Sequence, residues 1–131
     1  MVIATGMAGD REEICLEKCA RNKISKILAD NDGFYAKDEK IDPSGEDKLF
    51  SSLPLKSMRE VGKSLKTPCR FSYSAGEYVC NLLMYKLLRQ YRRIMPVGFI
   101  HLPATRQIKS VSHLQKNQLV NDFTQLLLFF N

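Results

Sequence analysis

Ser72-Tyr73-Ser74-Ala75-Gly76-Glu77-Tyr78-Val79-Cys80-Asn81-Leu82-Leu83-Met84-Tyr85 is the stretch from which the rest of the chain can be read. A short strand-like run, Cys69 to Tyr73, leads into it, and after Gly76 the pattern turns from extended to helical. On a 3.6-residue wheel Cys80 aligns with Met84, Leu87, Tyr91 and Ile94. Asn81, Lys86, Arg89, Gln90, Arg92 and Arg93 fall on the opposite, polar arc. Cys80 therefore enters early in an amphipathic helix, on its inward face. A thiol there feels the positive end of the helix dipole, which favours thiolate. Read without any further context, the same pattern also fits an inert core cysteine.

Working outward, Val2 to Thr5 reads as a buried strand ending at Gly6, followed by the turn Gly6 to Arg11. Ile14 to Asn22 shows an imperfect alternation and is read as one strand. Lys23 to Ser52 is rich in turn residues, such as Asn31-Asp32-Gly33 and Asp42-Pro43-Ser44-Gly45, and reads as a long loop. Leu55, Met58, Val61 and Leu65 form one stripe of a helix that Thr67-Pro68 stops. Ser74 to Glu77 has capping-box spacing for the helix that runs to about Met95 and ends at Pro96. Val97 to Leu102 is a strand ending at Pro103, and Ser110 to Phe130 a last helix with Leu119, Phe123, Leu126, Leu127 and Phe130 on its apolar side.

Strands alternating with helices predict an α/β fold with a mostly parallel sheet covered on both faces. Sites in such sheets form at the carboxyl ends of strands. That rule puts Gly6 to Arg11, Tyr73 to Cys80 and His101 to Pro103 on one edge of the sheet. A Cys and a His at neighbouring strand ends suit a thiol–imidazole pair, and a carboxylate would complete a triad. Glu17 is one candidate among fourteen acidic residues.

Composition bounds the partners. The chain has 131 residues, a net charge of +6 and 44% hydrophobic content, which predicts one domain with a real core. Its four cysteines, at 15, 19, 69 and 80, form no CxxC, and with only His101 and His113 available no metal site and no cofactor is expected. Neither a signal peptide nor an apolar run of membrane-spanning length is read, so the expected place is the cytoplasm, with reduced thiols. Between Tyr78 and Asn121 every charged residue is basic, including Lys86, Arg89, Arg92, Arg93, Arg106, Lys109 and Lys116. Cations near a helix C-terminus complement its dipole and the polar face must carry something, so the run is read as a solvated face rather than a nucleic-acid surface.

The motifs carry a resemblance. Ser74 to Asn81, with an aromatic at Tyr85, resembles the nucleophile motif of the pyroglutamyl-peptidase I (pyrrolidone-carboxylate peptidase) family of cysteine peptidases. Gly98-Phe99-Ile100-His101-Leu102-Pro103 is similar to that family's histidine motif. Gly6-Met7-Ala8-Gly9-Asp10-Arg11, then Ile14, Glu17-Lys18, Ala20 and Asn22, resembles its glutamate motif. The resemblance implies Cys80 as nucleophile, His101 as base and Glu17 as the group that orients His101. It implies hydrolysis after an N-terminal pyroglutamyl residue through a thioacyl intermediate, with Tyr78 and Val79 walling the ring. Peptides bearing N-terminal pyroglutamate are the implied partners, with neither nucleic acid nor membrane, and a homo-oligomer as a possible assembly.

The same resemblance implies a three-layer α/β/α sandwich over residues 1–131, a single domain lacking the family's amino-terminal strand and its Gly-Phe-x-Pro-Phe-Gly loop. Met7 replaces the family's usual Gln, and Lys26-Ile27-Leu28-Ala29 replaces an Arg-Ile-Pro segment. Cys15 and Leu16 also depart from the pattern. A shortened family member without catalysis, acting as an interaction protein, is the alternative expectation.

Overall fold

The computed structural model describes residues 1–25, 32, 33, 35, 37, 39–106 and 112–128. Its elements are β1 (Val2–Ala8), β2 (Ile14–Glu17), β3 (Cys19–Arg21), β4 (Lys48–Phe50), α1 (Leu55–Gly62), β5 (Cys69–Ser72), α2 (Val79–Tyr91), β6 (Val97–Pro103) and α3 (Lys116–Leu128).

Four strands form the main sheet in the order β1-β6-β2-β5. β1 pairs parallel with β6, and β2 parallel with β5. The central pair, β2 with β6, is antiparallel, with Cys15 opposite His101 and Glu17 opposite Phe99. Alternation along each strand sends neighbouring side chains to opposite faces. Ile14, Leu16 and Ile100 face one core with Leu55 and Met58 of α1 and Leu119 and Leu126 of α3. Val97 and Phe99 face the other, with Met84, Tyr85 and Leu88 of α2. The sheet thus lies between α2 on one side and α1 with α3 on the other, the three layers of an α/β sandwich.

The run Ile14 to Asn22 is not one strand. Lys18 is where the chain changes sheets: its N–H donates to Ser72 O at 2.7 Å, while its carbonyl accepts from Ser51 N at 2.9 Å. Beyond it, β3 pairs antiparallel with β4, a strand inside the segment read as loop. Ala20 and Leu49 are fully buried in this second ribbon, which covers α2. Asn22 closes the loop over it, donating to Asp42 O (2.7 Å) and Gly45 O (3.1 Å) and accepting from Asp42 N (2.9 Å).

The helices are shorter than their hydrophobic patterns. α1 ends at Gly62, and tight bonds from Lys63 N to Glu60 O and Ser64 N to Val61 O finish the turn before Pro68 is reached. Gly62 is required there, since a Cβ would strike the Cys69 side chain. α2 ends at Tyr91, leaving Ile94 73% exposed rather than on the inward stripe. Asn81, placed on the polar arc by the wheel, is fully buried. It accepts from Arg21 N (2.8 Å) and donates to Arg21 O and Lys23 O (2.9 Å each), using both amide hydrogens and the oxygen to tie α2 to β3 and the residue beyond it.

α3 buries Leu119, Asp122 and Leu126. Asp122 accepts from Thr67 N (2.7 Å) and Lys66 N (3.3 Å), an anchor that the apolar stripe did not announce. Phe130 and Ser110 lie outside the described residues, as do Lys26 to Ala29 and Lys109. Arg89 and Arg92 hold α2 to the 42–46 turn, through Asp42 (3.0 Å) and Glu46 respectively, so part of the basic run is structural. Among the described residues no helix is long and apolar enough to cross a membrane, and no group of three or more His, Cys, Asp or Glu is placed to hold a metal ion.

Candidate active site

Three polar side chains converge on the face of the sheet that α2 covers. Glu17 is the last residue of β2, and His101 lies within β6. Their diagonal placement on antiparallel neighbours brings the two side chains together. His101 Nδ1 stands 2.7 Å from Glu17 Oε1, with Glu17 fully buried and His101 5% exposed. This is the geometry of an imidazole whose Nδ1–H donates to a carboxylate, which fixes the tautomer and leaves Nε2 as the free lone pair. The Phe99 ring packs tilted against the imidazole, 4.8 Å between centroids, and limits its rotation.

Cys80 arrives from the third side. It is the second residue of α2, half-buried, and packs against the Phe99 and Met84 core. Its Sγ lies over Gly6 of β1, where an added Cβ would be 3.0 Å away. Gly6 is in register with His101 on the adjacent strand, so the thiol sits above the strand pair that carries the imidazole. Cys15 and Cys19 are also free but fully enclosed, and their thiols face Glu13 O and Tyr73 O. Burial pushes the Cys69 thiol up to about 11. Among the four, Cys80 alone is accessible.

The reversed β6 changes where the site lies. β2 and β5 end beside it, as the strand-end rule expects, but Gly6 and His101 are interior residues of strands running the other way. The three motifs meet on a face of the sheet, not along one carboxyl edge. The dipole argument for Cys80 is also outweighed. Burial raises its thiol above the ordinary range and the Glu17 charge adds to this, while Arg11 opposes both.

Tyr78 and Val79 precede Cys80 directly. Tyr78 is the N-cap of α2, with extended backbone and no side-chain cap, and is partly buried; Val79 is 49% exposed. The capping box from Ser74 to Glu77 does not form. Gly76 takes a positive φ of 83°, Ser74 Oγ accepts from Gly76 N (3.3 Å), and Glu77 instead faces Lys23 (3.2 Å) and Arg21 (3.6 Å). Arg11, given no role by the sequence, reaches into the site: its guanidinium donates to Glu17 Oε1 at 2.7 Å and to Ser74 O at 3.0 Å. A basic residue five positions after Gly6 carried no local signal of that reach. A cavity of about 640 Å³ opens beside Arg11, lined also by Thr67, Arg70 and His113, and contains neither Cys80 nor His101.

The family model described as pyroglutamyl peptidase matches residues 1–119, the stretch that contains Glu17, Cys80 and His101. The chain belongs to the pyroglutamyl peptidase family. The pyrrolidone-carboxylate peptidase of Thermosipho africanus is 47% identical over 107 residues, covering 79% of this chain and 52% of that protein. The Bacillus subtilis enzyme of the same name is 39% identical over 106 residues, covering 79% and 49%. Solved structures agree in fold. Pyrrolidone carboxyl peptidase from Thermococcus litoralis superposes with a TM-score of 0.88 at 26% identity, covering 96% of this chain and 63% of its own. That from Thermus thermophilus gives 0.86 at 30% identity, covering 96% and 67%. The chain spans about half the length of the curated relatives it matches.

Proposed function

We propose that this chain carries out the chemistry its family is named for, as a cysteine peptidase that hydrolyses the bond after an N-terminal pyroglutamyl residue. The single observation that carries the reading is the buried His101–Glu17 pair at 2.7 Å beneath the one accessible thiol, Cys80. His101 takes the proton of Cys80 as the sulfur attacks the pyroglutamyl carbonyl. Sulfur–carbon bond formation gives a tetrahedral oxyanion. The first N–H groups of α2, which have no partner within the helix, face the developing charge. The imidazolium is stabilised by Glu17 and protonates the departing amine. The carbon–nitrogen bond breaks and a thioacyl-enzyme remains. Water, deprotonated by His101, then cleaves the thioester, releases pyroglutamate and restores the thiol.

Tyr78 and Val79 flank Cys80 at the mouth and are assigned to the wall of the lactam slot, where an uncharged ring needs apolar surface. The implied substrates are peptides with a blocked pyroglutamyl terminus. The test is hydrolysis of a pyroglutamyl fluorogenic amide by the purified chain beside a Cys80→Ala control. Turnover that vanishes in the control supports the reading. Absence of turnover from a folded wild-type chain overturns it and leaves only family membership.

A further inference from the structure

The Arg11 guanidinium is shared between two parts of the site that have no covalent reason to move together. Nη1 donates to Glu17 Oε1 at 2.7 Å and approaches Ser72 Oγ at 3.3 Å; Nη2 donates to Ser74 O at 3.0 Å. Glu17 sits at the end of β2, while Ser72 and Ser74 begin the turn that delivers Cys80 to α2. Glu17 Oε1 therefore receives Arg11 and His101 on one oxygen, and Oε2 is buried without a hydrogen-bond partner. A fully buried carboxylate with one unpartnered oxygen owes its satisfaction in the core to those two partners.

We infer that Arg11 is the positioning residue of this site, clamping the carboxylate that orients His101 to the turn that places Cys80. The inference deepens the peptidase reading and rests on it for its purpose, but the clamp exists in the geometry whether or not the chain turns over. Arg suits the task where Lys would not, because its planar fork presents separate N–H groups to a carboxylate and a carbonyl at once. The charged and titratable groups facing Glu17 are Arg11 from the turn after β1, His101 from β6 and Cys80 from α2. Cys15, from β2 itself, interacts with Arg11. Removing the Arg11 cation leaves the Glu17 charge opposed only by His101, which favours the imidazolium and disfavours the thiolate.

The test uses Arg11→Met and Arg11→Lys in the full chain and two readouts that need no turnover. His101 is one of two histidines, so its ring titration is assigned by NMR against a His101→Gln spectrum. Cys80 is followed by site-resolved alkylation with iodoacetamide across pH. In folded Arg11→Met, both the His101 midpoint and the Cys80 alkylation midpoint move to higher pH by about one unit. A folded Arg11→Met with both midpoints unmoved, or moved to lower pH, overturns the inference. Should Arg11→Met not fold, Arg11→Lys decides: amide exchange across residues 72–80 accelerates several-fold if the fork holds the turn, and wild-type exchange there overturns the clamp. If the His101 midpoint responds to Glu17→Gln but not to Arg11→Met, the Cys–His–Glu reading stands and the clamp alone is lost.

Discussion

His101 Nδ1 and Glu17 Oε1 are 2.7 Å apart although 84 residues separate them, and both side chains are removed from solvent. Replacing Glu17 by Gln keeps an oxygen for the Nδ1–H but removes the charge that stabilises the imidazolium. It also leaves the Arg11 cation without its carboxylate. Turnover of a pyroglutamyl amide is expected to fall by about 10²-fold or more with KM little changed. Stability is expected to fall by about 3 kcal/mol in urea denaturation, the scale of breaking a buried pair. A Glu17→Gln chain within tenfold of wild-type activity removes Glu17 from the mechanism.

Gly6 is the floor beneath the Cys80 thiol. A Cβ there would stand 3.0 Å from both Cys80 Sγ and Phe99 Cζ. These are side-chain ends that can yield, so Gly6→Ala is expected to cost only about 1 kcal/mol of stability. The thiol is what moves. Turnover is expected to drop more than tenfold, because sub-ångström misplacement of a nucleophile is expensive. Equal losses in turnover and stability, measured side by side, would mark Gly6 as a general packing residue instead.

Asn81 serves the fold rather than the chemistry, despite standing next to Cys80. Asn81→Leu would remove the side chain that accepts from Arg21 N and donates to the carbonyls of Arg21 and Lys23, and place an apolar group where a fully buried amide made three hydrogen bonds. The expected loss is about 2–4 kcal/mol in urea denaturation. Wild-type stability in this variant would show that the ribbon of β3 and β4 is not held to α2 by these bonds.

Cys69 sets an alkaline limit. Burial raises its thiol from 9.0 to about 11, so the folded state holds the proton more tightly than the unfolded chain does. A raised pKa contributes stability that is complete below pH 9 and is lost as pH rises through about 11. Two pH units correspond to roughly 2–3 kcal/mol at most. Chemical denaturation at pH 8 and pH 11 is expected to show a larger alkaline loss in wild type than in Cys69→Ala. Equal losses would assign the alkaline transition to other groups.

The alternation of extended and helical patterns was legible along the chain because it is local. The Leu55, Met58, Val61 stripe, the switch after Gly76 and the stop at Pro96 each rest on neighbours a few residues apart. The three motifs were legible for the same reason: each is a short run of residue types. The residues they nominated, Glu17, Cys80 and His101, do come together on one face of the sheet.

Direction, register and buried partners were decided only by the tertiary structure. Nothing within Val97 to Pro103 says that β6 runs antiparallel to β2, yet that reversal moves His101 from a strand end to the middle of the site. Lys48 to Phe50 lacks the length to read as a strand, and becomes one because β3 offers it backbone partners. Asn81 and Asp122 look like surface residues on a wheel, but each finds backbone groups from distant segments to satisfy it in the core. Arg11 gains its place only when the ends of β2 and β5 lie side by side. The sequence determined which chemical types were available and, through the resemblance of its three motifs, nominated Cys80, His101 and Glu17. The fold decided how they meet, because hydrogen-bond pairing and burial depend on residues far apart along the chain.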